Sequence, residues 1–158
     1  MKITIELIDQ KDRELLKSML YDYQKEMLGG DQPEYKYLDS YWQKTDRFPY
    51  FIKVDGKIAG FALVNGYNLV IDEGKNIAEF YVLKEFRKNG VGKETARLIY
   101  NSFPGKWENR QIVENPYAHS YWQRLIAEFT NNNFEEIEMD NDKWHGWIQT
   151  FDMKGKTF

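Results

Sequence analysis

Apolar and polar positions alternate at the start of the chain. Ile3, Ile5 and Leu7 are separated by polar residues, which predicts a first strand. Leu15, Leu16, Met19, Leu20, Tyr23 and Met27 then recur at helical spacing, and Gly29-Gly30 stops that helix. Asp31 to Tyr37 reads as a loop, and Leu38 to Lys44 as a short second helix that ends before Phe48-Pro49. The apolar runs Tyr50 to Val54 and Lys57 to Val64 flank Asp55-Gly56. This pair supplies the positive φ angles of a tight turn, so the segment is a hairpin. Tyr67 to Ile71 extends the hairpin or forms a loop at its edge. Ile77 to Leu83 is a fourth strand and Glu94 to Ser102 a helix, with Val91, Thr95, Leu98 and Ile99 on one face.

Trp107 to Val113 predicts a fifth strand. Asn115-Pro116 opens a further helix to about Phe129, since Asn caps well and Pro suits the first helical position. Phe134 to Met139 and Trp144 to Phe151 close the chain as two strands around Asp140-Asn141-Asp142. The order βααβββαβαββ predicts one α/β (α+β mixed) domain over residues 1–158: a mixed, largely antiparallel sheet of about seven strands with helices on both faces.

Composition narrows the function. The 158 residues carry 22 basic and 25 acidic side chains, a net charge of −3. That balance disfavours nucleic acid, whose backbone demands a basic face, and suits a cationic small molecule or peptide. No cysteine is present, so a thiolate nucleophile, a thiolate metal site and disulfides are excluded. His119 and His145 are the only histidines, which argues against a metal site. His119 is expected on the exposed side of its helix. The first residues hold no apolar signal core and no run approaches a membrane span, so no membrane partner and a cytoplasmic location are expected. The aromatic segment Trp144 to Phe151 could pair with a second copy as a homodimer, and an internal strand accounts for it equally.

The densest chemical signal is Arg87-Lys88-Asn89-Gly90-Val91-Gly92-Lys93, between the fourth strand and the following helix. Two glycines permit a tight turn and close approach. The unpaired N–H groups of the helix start, with the positive end of its dipole behind them, make an anion site. Arg87, Lys88 and Lys93 add charge. A P-loop does not fit, because Arg87 stands where its first glycine belongs and Glu94 where it needs Ser or Thr. The dinucleotide fingerprint fails at Lys88 and Thr95.

A third pattern does fit. Val82-Leu83-Lys84-Glu85-Phe86-Arg87-Lys88-Asn89-Gly90-Val91-Gly92 resembles the acetyl-CoA motif of the GNAT-type N-acetyltransferases. Asn115-Pro116-Tyr117-Ala118 resembles the start of a second element in that superfamily, and the element order is similar throughout. The resemblance implies an acyl-CoA N-acyltransferase-like fold in which the fourth and fifth strands splay apart. The pantetheine arm of the co-substrate, acetyl-CoA, would lie in the gap against backbone groups of Phe80, Tyr81 and Val82. Amides from Arg87 to Gly92 would cradle its diphosphate, with Asn115 on the far side. Lys88 and Lys93 would contact phosphate.

The implied reaction is acetyl transfer to a primary amine of a small molecule, an amino acid or a peptide, directly within a ternary complex and without a metal. Glu79 interrupts an apolar strand beside aromatic residues, which favours a raised pKa, and is the candidate general base. The superfamily's usual tyrosine proton donor falls on Trp122, which holds no transferable proton and instead packs against the cofactor or in the core. Tyr121 is the alternative donor, although it points about 100° away along the helix. Asp31, Glu34, Asp72 and Glu73 lie in loops that could border an acceptor site. Two other readings stand beside this one: a non-catalytic acyl-CoA-binding or sensing domain, and an interaction module whose loop binds a different anion.

Overall fold

The computed structural model describes residues 1–153. Its elements run β1 (Ile3–Leu7), α1 (Arg13–Leu28), α2 (Ser40–Gln43), β2 (Arg47–Val54), β3 (Lys57–Asn65), β4 (Lys75–Val82), α3 (Val91–Ser102), β5 (Lys106–Ile112), α4 (Pro116–Thr130), β6 (Phe134–Asp140) and β7 (His145–Asp152). Single 3₁₀ turns precede α1 (Gln10–Asp12) and follow β4 (Lys84–Phe86). The strands form one seven-stranded sheet in the order β1-β2-β3-β4-β5-β7-β6, antiparallel except where β5 runs parallel to β4.

Helices cover both faces, and strand alternation sorts the core between them. Leu16, Met19 and Leu20 of α1 pack with Leu38 and Tyr41 against Phe51, Phe61, Leu63 and Tyr81. On the opposite face Ala96, Ile99 and Tyr100 of α3 and Trp122, Leu125, Ile126 and Phe129 of α4 pack against Tyr50, Ala62, Val64, Ile77, Trp107 and Phe151. Leu98 is only half-buried on α3, and Tyr100, fully enclosed, takes the place expected of it.

Local sequence explains the joints. Asp55 and Gly56 take φ of 50° and 81°, the left-handed pair that a two-residue hairpin needs. The Asn115 side chain accepts the Ala118 N–H at 3.0 Å and Pro116 fills the first helical position.

One segment departs from the sequence expectation, and two others take one of the alternatives it offered. The second helix shrinks to Ser40–Gln43. Phe48-Pro49 does not end it but lies within β2. Pro49 is tolerated there because it lies past the β1 pairing, which ends at Leu7↔Tyr50, and its carbonyl accepts only the Ile8 N–H. Tyr67 to Ile71 forms a loop rather than a strand extension. The segment proposed for dimer pairing, Trp144 to Phe151, is almost entirely β7. It lies between β5 and β6 with both edges hydrogen-bonded, so no second copy can add there.

Two irregularities in β4 set up the site. Opposite β3, Leu63 pairs with Glu79 but Val64 pairs with Ile77, so Ala78 is a bulge residue. Ile77 faces α3 and α4, and in a regular strand Glu79 would face the same way. The extra residue turns Glu79, with Tyr81, to the α1 side. Against β5, β4 pairs only at Lys75↔Trp107 and Asn76↔Glu108, after which the strands part.

The closed end of that boundary is sealed by polar groups. Glu108, wholly inaccessible to solvent, accepts the amides of Leu69, Val70 and Ile71 at 2.9, 2.7 and 3.1 Å and is bonded to Arg110. Asn76 donates to Asn65, Tyr67 and Asn68, and its oxygen accepts from Arg110. Every loop amide from 69 to 71 therefore has a charged partner inside the fold.

Candidate active site

The opening between β4 and β5 is walled by backbone. The Leu83 N–H bonds Ala59 O across β3, and a side chain at Gly60 would meet Tyr81 O at 2.0 Å, so Tyr81 spends its backbone groups on β3. By alternation, Phe80 and Val82 present theirs to the gap. Of these, Val82 O is already occupied by Arg87 Nε at 2.6 Å.

Beyond the gap the chain makes one 3₁₀ turn, in which the Arg87 N–H bonds Lys84 O. Lys88 and Gly90 then take φ of 68° and 76°, and α3 begins at Val91. Amides 88–93 donate to no described group; the first one used is that of Glu94, to Gly90 O at 3.1 Å. Six consecutive free N–H groups at a helix start, with the dipole behind them, form a concave anion site.

The side chains around this loop differ from expectation. Arg87 does not line the cradle. Its guanidinium forms a bidentate pair with Glu26 of α1 at 2.8 and 3.1 Å and sits over the Tyr81 ring, and its amide is consumed by the turn. A planar fork finds a matching carboxylate nearer than the cradle. Lys93 pairs with Glu128 of α4 at 2.6 Å. Lys88 is exposed and makes no ion pair among the described residues. Asn89 is likewise exposed. Val91 is buried beneath the loop and anchors it.

Glu79 is half-buried on the α1 side, held by two phenols. Tyr23 of α1 donates to one carboxylate oxygen and Tyr35, from the loop after α1, to the other, each at 3.0 Å. Burial pushes the Glu79 carboxyl above its ordinary range, while both phenol hydrogen bonds and the Arg110 charge pull it partly back. The same enclosure, with the Glu79 charge beside it, raises both phenols well above the usual tyrosine range. Among the described residues no Lys or Arg pairs with Glu79, as one would with an ordinary sheet-surface glutamate. Sequence reasoning missed Tyr23 and Tyr35 as site residues. Their hydroxyls reach Glu79 from 56 and 44 positions away, and no local pattern signals that contact.

The start of α4 borders the same opening. The Tyr121 hydroxyl donates to no described residue and lies against Gly92, where an added Cβ would come within 2.5 Å of it. Burial raises its pKa and the charge of Arg124 lowers it, with a net rise. Trp122 is buried in the core, edge-on to Phe80 with ring centres 5.1 Å apart. Asn115 uses its side-chain oxygen as the helix cap. His119 is not on the exposed side. It stacks flat on Trp147 at 4.0 Å and meets Glu136 at 2.8 Å, because β6 and β7 fold back beneath this face of α4. Asp31 and Glu34 are engaged by Tyr21 and Arg13, whereas Asp72 and Glu73 are exposed. No helix among the described residues is long and apolar enough to cross a membrane.

Known proteins share this fold. A family model described as the acetyltransferase (GNAT) family matches residues 16–127. No curated protein matches the chain. Similar solved structures include the aminoglycoside acetyltransferase AAC(6')-Ib in complex with coenzyme A and kanamycin, with 15% identity, TM-score 0.70, and 96% of this chain and 95% of that one covered. An acetyltransferase from Thermus thermophilus aligns at TM-score 0.73 with 14% identity, covering 96% and 97%. The PaiA N-acetyltransferase from Thermoplasma acidophilum in complex with coenzyme A aligns at TM-score 0.62 with 15% identity, covering 96% and 99%. At these identities the structural alignments show a shared fold alone.

Proposed function

Because the chain belongs to the acetyltransferase (GNAT) family, we propose that it moves the acetyl group of acetyl-CoA to a primary amine by direct transfer in a ternary complex. The observation that carries this reading is the run of six free amides, 88–93, at the mouth of the β4–β5 opening. Those amides would hold the diphosphate, with Lys88 beside them, and the gap-facing edge of β4, at Phe80 and the Val82 N–H, would hold the pantetheine arm. Acetyl-CoA supplies an activated acyl thioester.

Glu79 is the proposed base. A free alkylamine keeps its proton up to pH of roughly 10, so a nearby carboxylate must take one before nitrogen can form the new C–N bond. Tyr23 and Tyr35 fix both of its oxygens and leave their remaining lone pairs for the amine or an intervening water. The C–S bond breaks as the C–N bond forms. The departing sulfur takes a proton from Tyr121 or leaves as thiolate. Tyr121→Phe decides its part: a fall in kcat assigns it to the leaving group, and a loss confined to coenzyme A affinity assigns it to the cradle.

Calorimetric titration with coenzyme A, followed by a thiol-release assay over a panel of amines, tests the proposal. Amino sugars head the panel, because the AAC(6')-Ib neighbour is an aminoglycoside acetyltransferase bound to kanamycin. Trp122, where the superfamily's donor tyrosine is expected, favours a second reading, a binding domain without turnover. Tight coenzyme A binding with no thiol release for any amine would select it.

A further inference from the structure

Two opposite charges flank the place where β4 and β5 part. The last paired residues there are Asn76 and Glu108. On the α1 side of the sheet the next side chain along β4 is Glu79, because Ile77 faces the other way and Ala78 is the bulge residue. The next along β5 is Arg110, since Trp107 and Asn109 turn toward α3, where Asn109 accepts the Tyr100 hydroxyl. Glu79 and Arg110 therefore stand at the same level on the two lips of the opening. The Arg110 charge acts on Glu79, yet among the described residues no ion pair joins them. The space between the parted strands keeps the two charges apart.

Arg110 is held so that its charge points into that space. Behind it, the guanidinium bonds Glu108 and donates to Asn76 Oδ1 at 3.3 Å. Glu108 is wholly inaccessible, and its oxygens are also capped by the amides of residues 69–71. The pair is thus a fixed dipole with its positive end at the opening. Trp144 covers one face of the guanidinium at 5.5 Å and is pinned by its Nε1 bond to Gln111 O at 3.1 Å. The edge of the plane stays open: Arg110 Nε bonds no described residue and is not a buried orphan. An acceptor amine arrives as a cation. Glu79 attracts it and Arg110, across the opening, repels it. A carboxylate on the same molecule removes that repulsion and finds a planar fork that matches it.

We propose that the acceptor is an amino acid, whose amino nitrogen faces Glu79 and whose carboxylate binds Arg110. The assignment rests on the acetyl-transfer reading above and narrows its acceptor, ranking free amino acids above amino sugars and peptide N-termini. The nitrogen forms the C–N bond as the C–S bond of acetyl-CoA breaks. Of the two protons the ammonium loses, Glu79 takes one and the other ends on the thiol of coenzyme A. The carboxylate changes no bond; it orients the amine and balances Arg110.

The test titrates the full chain, saturated with coenzyme A, with the common amino acids, each beside its amide, by calorimetry. Thiol release from acetyl-CoA is then measured with the same pairs. At least one amino acid should bind, and turn over, at least about tenfold better than its amide. Arg110→Gln should collapse that preference, and Arg110→Lys, which keeps the charge, should restore part of it. An amide also differs from its parent in the basicity of its amine, and the variant leaves that difference unaltered, so the change in ratio isolates the carboxylate contact. Arg110 also braces Glu108 and Asn76, and a purely structural fault would weaken both members of a pair alike. Such an equal loss overturns the proposal, as does a ratio that Arg110→Gln leaves unchanged. No amino acid surpassing its amide in wild type overturns it too, as does turnover of amino sugars without turnover of amino acids. Preferential binding of an amino acid with no thiol release from any amine would instead overturn the transfer reading and leave the carboxylate site standing.

Discussion

At one end of the β4–β5 boundary three loop amides, 69–71, close on the buried carboxylate of Glu108. At the other end six amides, 88–93, of the loop and the first turn of α3, close on no described group. Both loops leave or join β4 and both present clustered N–H donors. One receives its anion from the chain itself, and the other stands open at a helix start. Buried donors without partners are costly, so the first arrangement serves stability. The second is tolerable because water can occupy it, and it is the one that an incoming anion can exploit. The internal carboxylate thus shows, within one molecule, what the proposed diphosphate would do at the other end.

The contrast can be broken most forcefully at Glu108. Glu108→Ala strands three amides and the Arg110 charge, and should cost about 3–5 kcal/mol in urea unfolding. A loss under about 1 kcal/mol would show that both loops tolerate solvent equally and would remove the distinction. Gly90→Asp acts in the opposite sense. It places a negative side chain in the cradle at φ 76° and should weaken coenzyme A at least about hundredfold by calorimetry, while costing about 1 kcal/mol of stability. Unchanged affinity would falsify the cradle assignment.

Between those ends lies Glu79. Glu79→Gln should lower kcat about hundredfold and leave the coenzyme A Kd within about twofold. Full turnover would remove the base. The finest test is Tyr35→Phe. A raised carboxyl pKa means the base stays protonated to higher pH, so kcat/KM falls as pH drops through that value. The phenol hydrogen bonds lower the pKa. Deleting one therefore moves the acid limb of the profile upward, and a limb that stays put or moves down would separate Tyr35 from the base.

Local chemistry made part of this legible in the sequence. Asp55-Gly56, Asn115-Pro116 and Gly90 of the cradle act over a few residues, and each behaves as its backbone preferences dictate, whereas Gly92 is an ordinary helical residue of α3. What sequence could not show depends on distant partners. Arg87 adds no charge to the cradle because Glu26, on a helix far earlier in the chain, reaches it first. His119 turns inward because Trp147 and Glu136 come back beneath it. Pro49 reads as a terminator, and only the short span of β1 makes it acceptable in a strand. Glu79 could be singled out as an oddity in an apolar run. Its two phenol partners, and the side of the sheet on which it emerges, could not.

The extra residue at Ala78 makes the location of the carboxylate a question of parity. Odd and even counts along a strand are delivered to opposite compartments, so shortening β4 by one residue there would exchange the destinations of Glu79 and Phe80. The acid would arrive among Trp122 and Ile99, and the benzyl ring among the tyrosines. Point substitution at 78 leaves that arithmetic alone, whereas a deletion rewrites it for every position on one side of the cut. Chemical diversification of this cleft is therefore open to changes of residue and closed to changes of length in this one strand.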